Sequence, residues 1–262
     1  MDTFCAPCGE SVFIGIVVDR IISCHEPFAS LEFLADKQCT VFVDKITGII
    51  CEIEAGISTR EDIKLHIFPG CSLLPGFIDS HVHLTIASDD YQIDHLRLSS
   101  AEKSLRALKC AQGLLHAGFT TIRSAGDADS FFPSFAVAKS IKKKEFDGPT
   151  IVGAGHYISV TGGGGDINFL SPDNCSCCQV DGIIANGKED MMRAVRNEIK
   201  FGSDWIKILA TGAFMSASTH AKDSPENTHF SKEELQTVVE GIALVDNRLR
   251  PVFLYSMLDV FR

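Results

Sequence analysis

From Leu73 onward the chain alternates short apolar runs with amphipathic helical stripes, and this alternation limits the fold more than any other feature. Strand-like runs at Leu73–Ile78, Phe119–Arg123, Thr150–Gly153, Asp204–Ala210 and Pro251–Tyr255 interleave with helical patterns at Ser99–Ala117, Phe132–Lys144, Lys188–Phe201 and a segment opening at Ser231. The helical patterns carry apolar residues three and four apart, for example Leu105, Leu108, Ala111 and Leu115, or Met191, Met192, Val195 and Ile199. Ser231 is followed three residues later by Glu234, the signature of a capping box. Strands separated by helices are joined most simply as parallel neighbours, so an α/β fold with a parallel sheet is predicted.

The first third has a different texture. Apolar runs at Ser11–Val18, Cys39–Val43, Gly48–Glu54 and Lys64–Phe68 are separated by charged turns, which predicts small antiparallel strands. So short a β unit is marginal by itself, and the chain divides into a β subdomain at 1–72 and a β/α domain at 73–262. A hydrophobic fraction of 45% suits a globular protein with a sizeable core. The net charge of −10 and the lack of a long basic block argue against nucleic acid as a partner.

Two features carry chemistry. His81 and His83 stand two apart in Leu73–Leu84, LLPGFIDSHVHL, so an extended backbone points both imidazoles to one side at the end of a buried strand. A pair of neutral imidazoles suits a divalent ion such as zinc, whereas the bland reading makes them ordinary strand-end residues. Lys207 interrupts the apolar strand DWIKILA. A lysine there is costly unless its charge is paired or removed, or unless its ammonium emerges at the strand end.

Other motifs are weaker. The long connection from Gly155 to Gly187 suggests an active-site wall, and its Gly162–Gly165 run could form an anion nest but lacks the ending of a P-loop, so it reads as loop. Asp166, Arg123 and Tyr157 are candidates to line a mouth. Cys5-x-x-Cys8 and the cluster Cys175, Cys177 and Cys178 read as terminus and loop rather than as metal sites. The N-terminal MDTFCAPCGE has no basic region leading into an apolar one, and no run approaches the ~18 residues of a membrane span. A cytoplasmic protein with reduced thiols and no membrane partner is expected.

Three segments together resemble a known family. Leu74–His83, His116–Gly126 (HAGFTTIRSAG) and Gly202–Gly212 (GSDWIKILATG) closely resemble the metal-dependent amidohydrolase superfamily, in its imidazolonepropionase-like and Xaa-Pro-dipeptidase-like branch. The resemblance implies a (β/α)8 TIM barrel with a small β-sandwich, here a partial barrel of strands 1–5. It implies two divalent ions, usually zinc, at the barrel mouth. His81 and His83 match the first-strand ligands, and Lys207 matches the strand-four lysine that CO2 carbamylates to bridge the ions. It further implies attack of a bridging hydroxide on an amide or dipeptide C–N bond, with an aspartate on strand eight shuttling the proton.

The chain also departs from the family pattern. Tyr255 stands near the place of the strand-five histidine, Gly164 stands where relatives carry a loop histidine, and no strand-six histidine or strand-eight aspartate follows. The expectation is therefore a chain truncated after barrel strand 5. It would be either a hydrolase of small amides or a catalytically inactive remnant holding one ion or none, possible as a homo-oligomer that covers its open edge.

Overall fold

The computed structural model describes residues 13–22, 37–86, 91–129, 131–168, 170–171, 182–212, 227–245 and 250–254. The chain divides into two compact units, Met1–Pro75 and Gly76–Arg262. In the first, β1 (Phe13–Ile21), β2 (Cys39–Asp44), β3 (Ile50–Ala55) and β4 (Lys64–Leu73) form one sheet in the order β3-β2-β1-β4. β1, β2 and β3 are antiparallel in sequence order, as the turn chemistry predicts, but β4 joins the far side of β1 in parallel. A parallel partner needs a crossover rather than a hairpin, and no local turn signal announces it. Val17, Val18, Cys39, Val41 and Phe42 are buried in this unit.

The second unit follows the β/α alternation. Its elements run β5 (Phe77–Val82), α1 (Tyr91–Arg97), α2 (Ser100–His116), β6 (Phe119–Asp127), α3 (Pro133–Lys142), β7 (Thr150–Ser159), β8 (Ile183–Ile184), α4 (Gly187–Phe201), β9 (Trp205–Leu209), α5 (Lys232–Val245) and β10 (Arg250–Leu254). The sheet order is β10-β9-β7-β6-β5, every pairing is parallel, and β8 attaches to β7. This is the parallel α/β arrangement that the alternation predicts, its strands built up by successive β/α units. Among the described residues, no helix is long and apolar enough to cross a membrane.

Alternation along the strands sorts their side chains. Ile206 and Ile208 of β9 and Ile158 of β7 are fully buried in one core with Met191, Val195, Val238 and Ile242 from α4 and α5. A second core joins Ile122 and Leu84 to Ala107, Ala111 and Val137 from α2 and α3. Residues of the opposite parity, Tyr157 and Lys207, consequently stand on the other face of the sheet.

Three differences from the sequence reading have physical causes. The strand expected at Leu73–Ile78 is split, because Pro75 has no N–H to donate: β4 ends at Leu73 and β5 starts at Phe77, reaching past His81. β7 extends six residues beyond the expected Gly153, so Gly155, His156 and Tyr157 belong to the sheet rather than to a loop. In α2, Leu105 stays exposed while Lys103 is buried, since its ammonium bonds Asp129 at 2.7 Å and the Ala128 carbonyl at 3.1 Å. The capping box of α5 forms as predicted, with Glu234 accepting from the Ser231 N–H at 2.7 Å and Ser231 Oγ accepting from Glu234 N at 3.2 Å.

Candidate metal centre

The site begins with β5. Asp79 accepts from the His81 N–H at 3.0 Å, and the pairing of β5 with β6 shifts register between Asp79 and Val82. This irregular end brings the His81 and His83 rings together, with centroids 5.3 Å apart. His83 Nδ1 lies 2.8 Å from the Gly126 carbonyl oxygen at the end of β6. A carbonyl only accepts, so Nδ1 carries the hydrogen and Nε2 keeps its lone pair, the state a metal ligand requires.

Lys207 comes from β9, yet its Nζ is 3.5 Å from His81 Nε2. It is 2% exposed, and among the described residues no carboxylate lies within ion-pair distance of it. Burial first, and the Arg123 guanidinium second, push its ammonium down to about 8. Burial likewise pushes His83 down to about 4 and lowers His81, where Lys207 and Arg123 add to the effect. The imidazoles are thus held neutral, and the buried amine gives up its proton far more readily than a free lysine, so that about a tenth of it is unprotonated at pH 7.

Of the residues suggested for a mouth, two are close. Tyr157 pairs in register with Lys207 across β7 and β9, and its ring meets His83 edge-on at 6.0 Å between centroids. Arg123 donates from Nε to the Ser80 carbonyl at 2.7 Å, and its guanidinium lies 5.2 Å from the centre of the Trp205 ring. Asp166 serves its own loop instead, accepting from the Gly162 N–H at 2.8 Å. That loop needs glycine for a packing reason: a Cβ on Gly165 would come within 2.9 Å of the Tyr157 ring. Tyr255, Cys5, Cys8 and the cluster Cys175, Cys177 and Cys178 lie outside the described residues.

Among the described residues, no group of three His, Cys, Asp or Glu side chains could hold a metal ion. The third donor here is a lysine, which binds a metal only as the free amine or after conversion to an anion. Two neutral imidazoles beside a buried amine that has no counter-anion among the described residues fit a divalent ion once that amine is carbamylated. His81, His83 and Lys207, the three residues singled out in the sequence, are therefore neighbours in the structure.

The polar residues behind this site escape the sequence reading. His156 Nδ1 is 2.7 Å from Glu198 Oε1, its Nε2 is 2.9 Å from the Phe131 carbonyl, and Ser203 Oγ donates to Glu198 Oε2 at 2.7 Å. His156 is raised: burial opposes its charge, but Glu198 more than compensates. Asp127 is fully buried. A faint signal exists for Glu198, which falls three residues after Val195 on the apolar stripe of α4.

The motif segments, the parallel strands and the donor set converge with the comparison of the whole chain, whose residues 72–248 match the amidohydrolase family. The chain belongs to the amidohydrolase family. The chain is 30% identical over 186 residues to ochratoxinase from Aspergillus niger, a match that spans 65% of this chain and 37% of the relative. Its fold is similar to that of an Xaa-Pro dipeptidase with methionine bound in the active site, with TM-score 0.75 and 25% identity over 92% of this chain and 56% of the other. It is also similar to a prolidase complexed with N-methylphosphonate-L-proline, with TM-score 0.69 and 26% identity over 91% and 55% of the two chains. The chain thus spans little more than a third of the ochratoxinase and about half of the solved relatives, in an Xaa-Pro-dipeptidase-like and ochratoxinase-like branch of the family.

Proposed function

We propose that this chain carries a metal-binding site for amide hydrolysis, in which His81, His83 and carbamylated Lys207 hold divalent ions, zinc foremost. The observation that carries the reading is the 3.5 Å approach of Lys207 Nζ to His81 Nε2, from strands 126 residues apart in the chain. The ammonium first loses a proton; the free amine nitrogen then bonds to the carbon of CO2 and releases a second, so a buried cation becomes an anionic oxygen ligand. The depressed basicity of Lys207 favours this step, because only the free amine attacks. Divalent ions at such a site supply a nucleophile from water near neutral pH and polarise a scissile carbonyl.

The chain's own residues do the rest. Gly126 fixes His83 with Nε2 free, burial keeps both imidazoles neutral, and Tyr157 walls the pair on the β7 side. The dipeptidase and prolidase among the solved relatives support a dipeptide or a similarly small amide as substrate. A second reading, a chain without turnover that holds one ion or none, is favoured by the donor set: among the described residues no group of three His, Cys, Asp or Glu side chains could hold a metal ion.

Zinc titration of the metal-stripped chain in 13C-bicarbonate tests the site. A carbamate carbon signal is expected in the native chain and not in Lys207→Ala, and zinc binding is expected to weaken in His81→Ala and His83→Ala. The absence of the carbamate signal, with unchanged zinc binding in both histidine variants, refutes the site. Hydrolysis of Xaa-Pro dipeptides by the zinc-loaded chain separates the first reading from the second.

A further inference from the structure

Behind His83 lies a buried carboxylate for which the reaction has no direct use. Asp127 follows Gly126, whose carbonyl accepts the His83 Nδ1 hydrogen bond. Its Oδ1 accepts from Thr85 Oγ1 at 3.2 Å and also from Ser134 Oγ, and its Oδ2 accepts from the Ser134 N–H at 2.9 Å. Thr85 Oγ1 in turn accepts from the Ala128 N–H at 3.3 Å. Thr85 is two residues beyond His83, so the carboxylate ties the chain just after the imidazole to the chain just after the carbonyl that orients it. The hydrogen bond between His83 and Gly126 is held from both of its ends.

The third tie reaches α3. Proline at the first helical position has no N–H, and Phe132 before it supplies no side-chain cap, which leaves the Ser134 N–H as an early orphan donor. Asp127 satisfies it from outside the helix. The Gly126 carbonyl is therefore fixed with respect to β5, β6 and α3 together. Its position also depends on a left-handed backbone, φ +106°, where an added Cβ would lie 2.7 Å from the His156 carbonyl carbon and the Tyr157 nitrogen.

We propose that Asp127, with Thr85 and Ser134, is a positioning residue that sets the tautomer and aim of His83 through the Gly126 carbonyl. The proposal rests on the reading of His83 as a metal ligand for its purpose, but its geometry can be tested without metal. Outer partners of this kind change metal affinity by roughly 10- to 100-fold when lost.

The test uses the metal-free chain labelled with 15N-histidine, with His83→Gln identifying the His83 resonances, followed by zinc titration against a competing chelator. The native chain is expected to show His83 protonated at Nδ1 alone. Thr85→Val, which keeps shape but removes the hydroxyl, and Ser134→Ala, which tests the α3 tie separately, are each expected to yield mixed tautomers and to bind zinc about 10-fold more weakly. Thr85→Ser is expected to restore both properties. If both variants fold by circular dichroism and keep the native His83 tautomer, the positioning role is overturned. If the tautomer shifts as expected while no variant, nor the native chain, binds zinc, the positioning role stands and the metal-site reading fails.

Discussion

Replacing Lys207 by methionine isolates the cost of its buried amine. The side chain is 2% exposed, His81 Nε2 lies 3.5 Å from its Nζ, and no carboxylate among the described residues pairs with it. Its ammonium is depressed from 10.5 to about 8, which at about 1.4 kcal/mol per pKa unit is about 3 kcal/mol against folding when the lysine is charged. The sign follows from proton counting. The folded chain binds this proton less readily than the unfolded chain, so stability falls as pH drops from 10.5 towards 8, and the full deficit is present below 8. Methionine keeps most of the stem and removes the charge. In CO2-free buffer with chelator, Lys207→Met is expected to be up to about 3 kcal/mol more stable than the native chain at pH 7, with the difference shrinking as pH approaches 10. Urea unfolding at pH 7, 8.5 and 10 measures this, and zinc with bicarbonate should then stabilise the native chain but not the variant. Equal stability at pH 7 with parallel pH profiles refutes the claim that the fold holds an uncompensated cation there.

Gly126→Ala is expected to cost about 3 kcal/mol or more, because its φ of +106° and the 2.7 Å approach to the next strand both exclude a Cβ; thermal unfolding reads the loss directly. Glu198→Gln removes the charge facing His156 and is expected to destabilise by about 3 kcal/mol. Because His156 is raised in the fold, its contribution is present at low pH and is lost as pH rises through the folded value, so the variant's unfolding curves should lose that fall in stability across the histidine range. Ser231→Ala breaks the capping box of α5 and is expected to cost about 1 kcal/mol, visible as a lower urea midpoint at an unchanged slope.

The sequence made the parallel strands and the candidate donor residues accessible for separate reasons. Apolar spacing reports which residues face a core, and this placed α2, α4 and β9 close to their observed bounds. His81, His83 and Lys207 were visible because each breaks its local pattern. The network behind them was not visible, since His156 looked like part of a loop until β7 proved six residues longer than its apolar run. Asp127 resembles any polar residue after a strand, and only the fold reveals that Thr85 and Ser134 converge on it. The parallel pairing of β1 with β4 was equally hidden, because a crossover leaves no turn signature of the kind that marks a hairpin.

β7 gives adjacent residues opposite duties. His156 turns to Glu198 in the helical layer, while Tyr157 turns to His83 and aligns with Lys207. A rotation or slide of this one strand cannot improve one side without disturbing the other. Anyone redesigning the surroundings of His83 should therefore treat residues 155–157 and Glu198 as a single movable part, to be changed together or left alone.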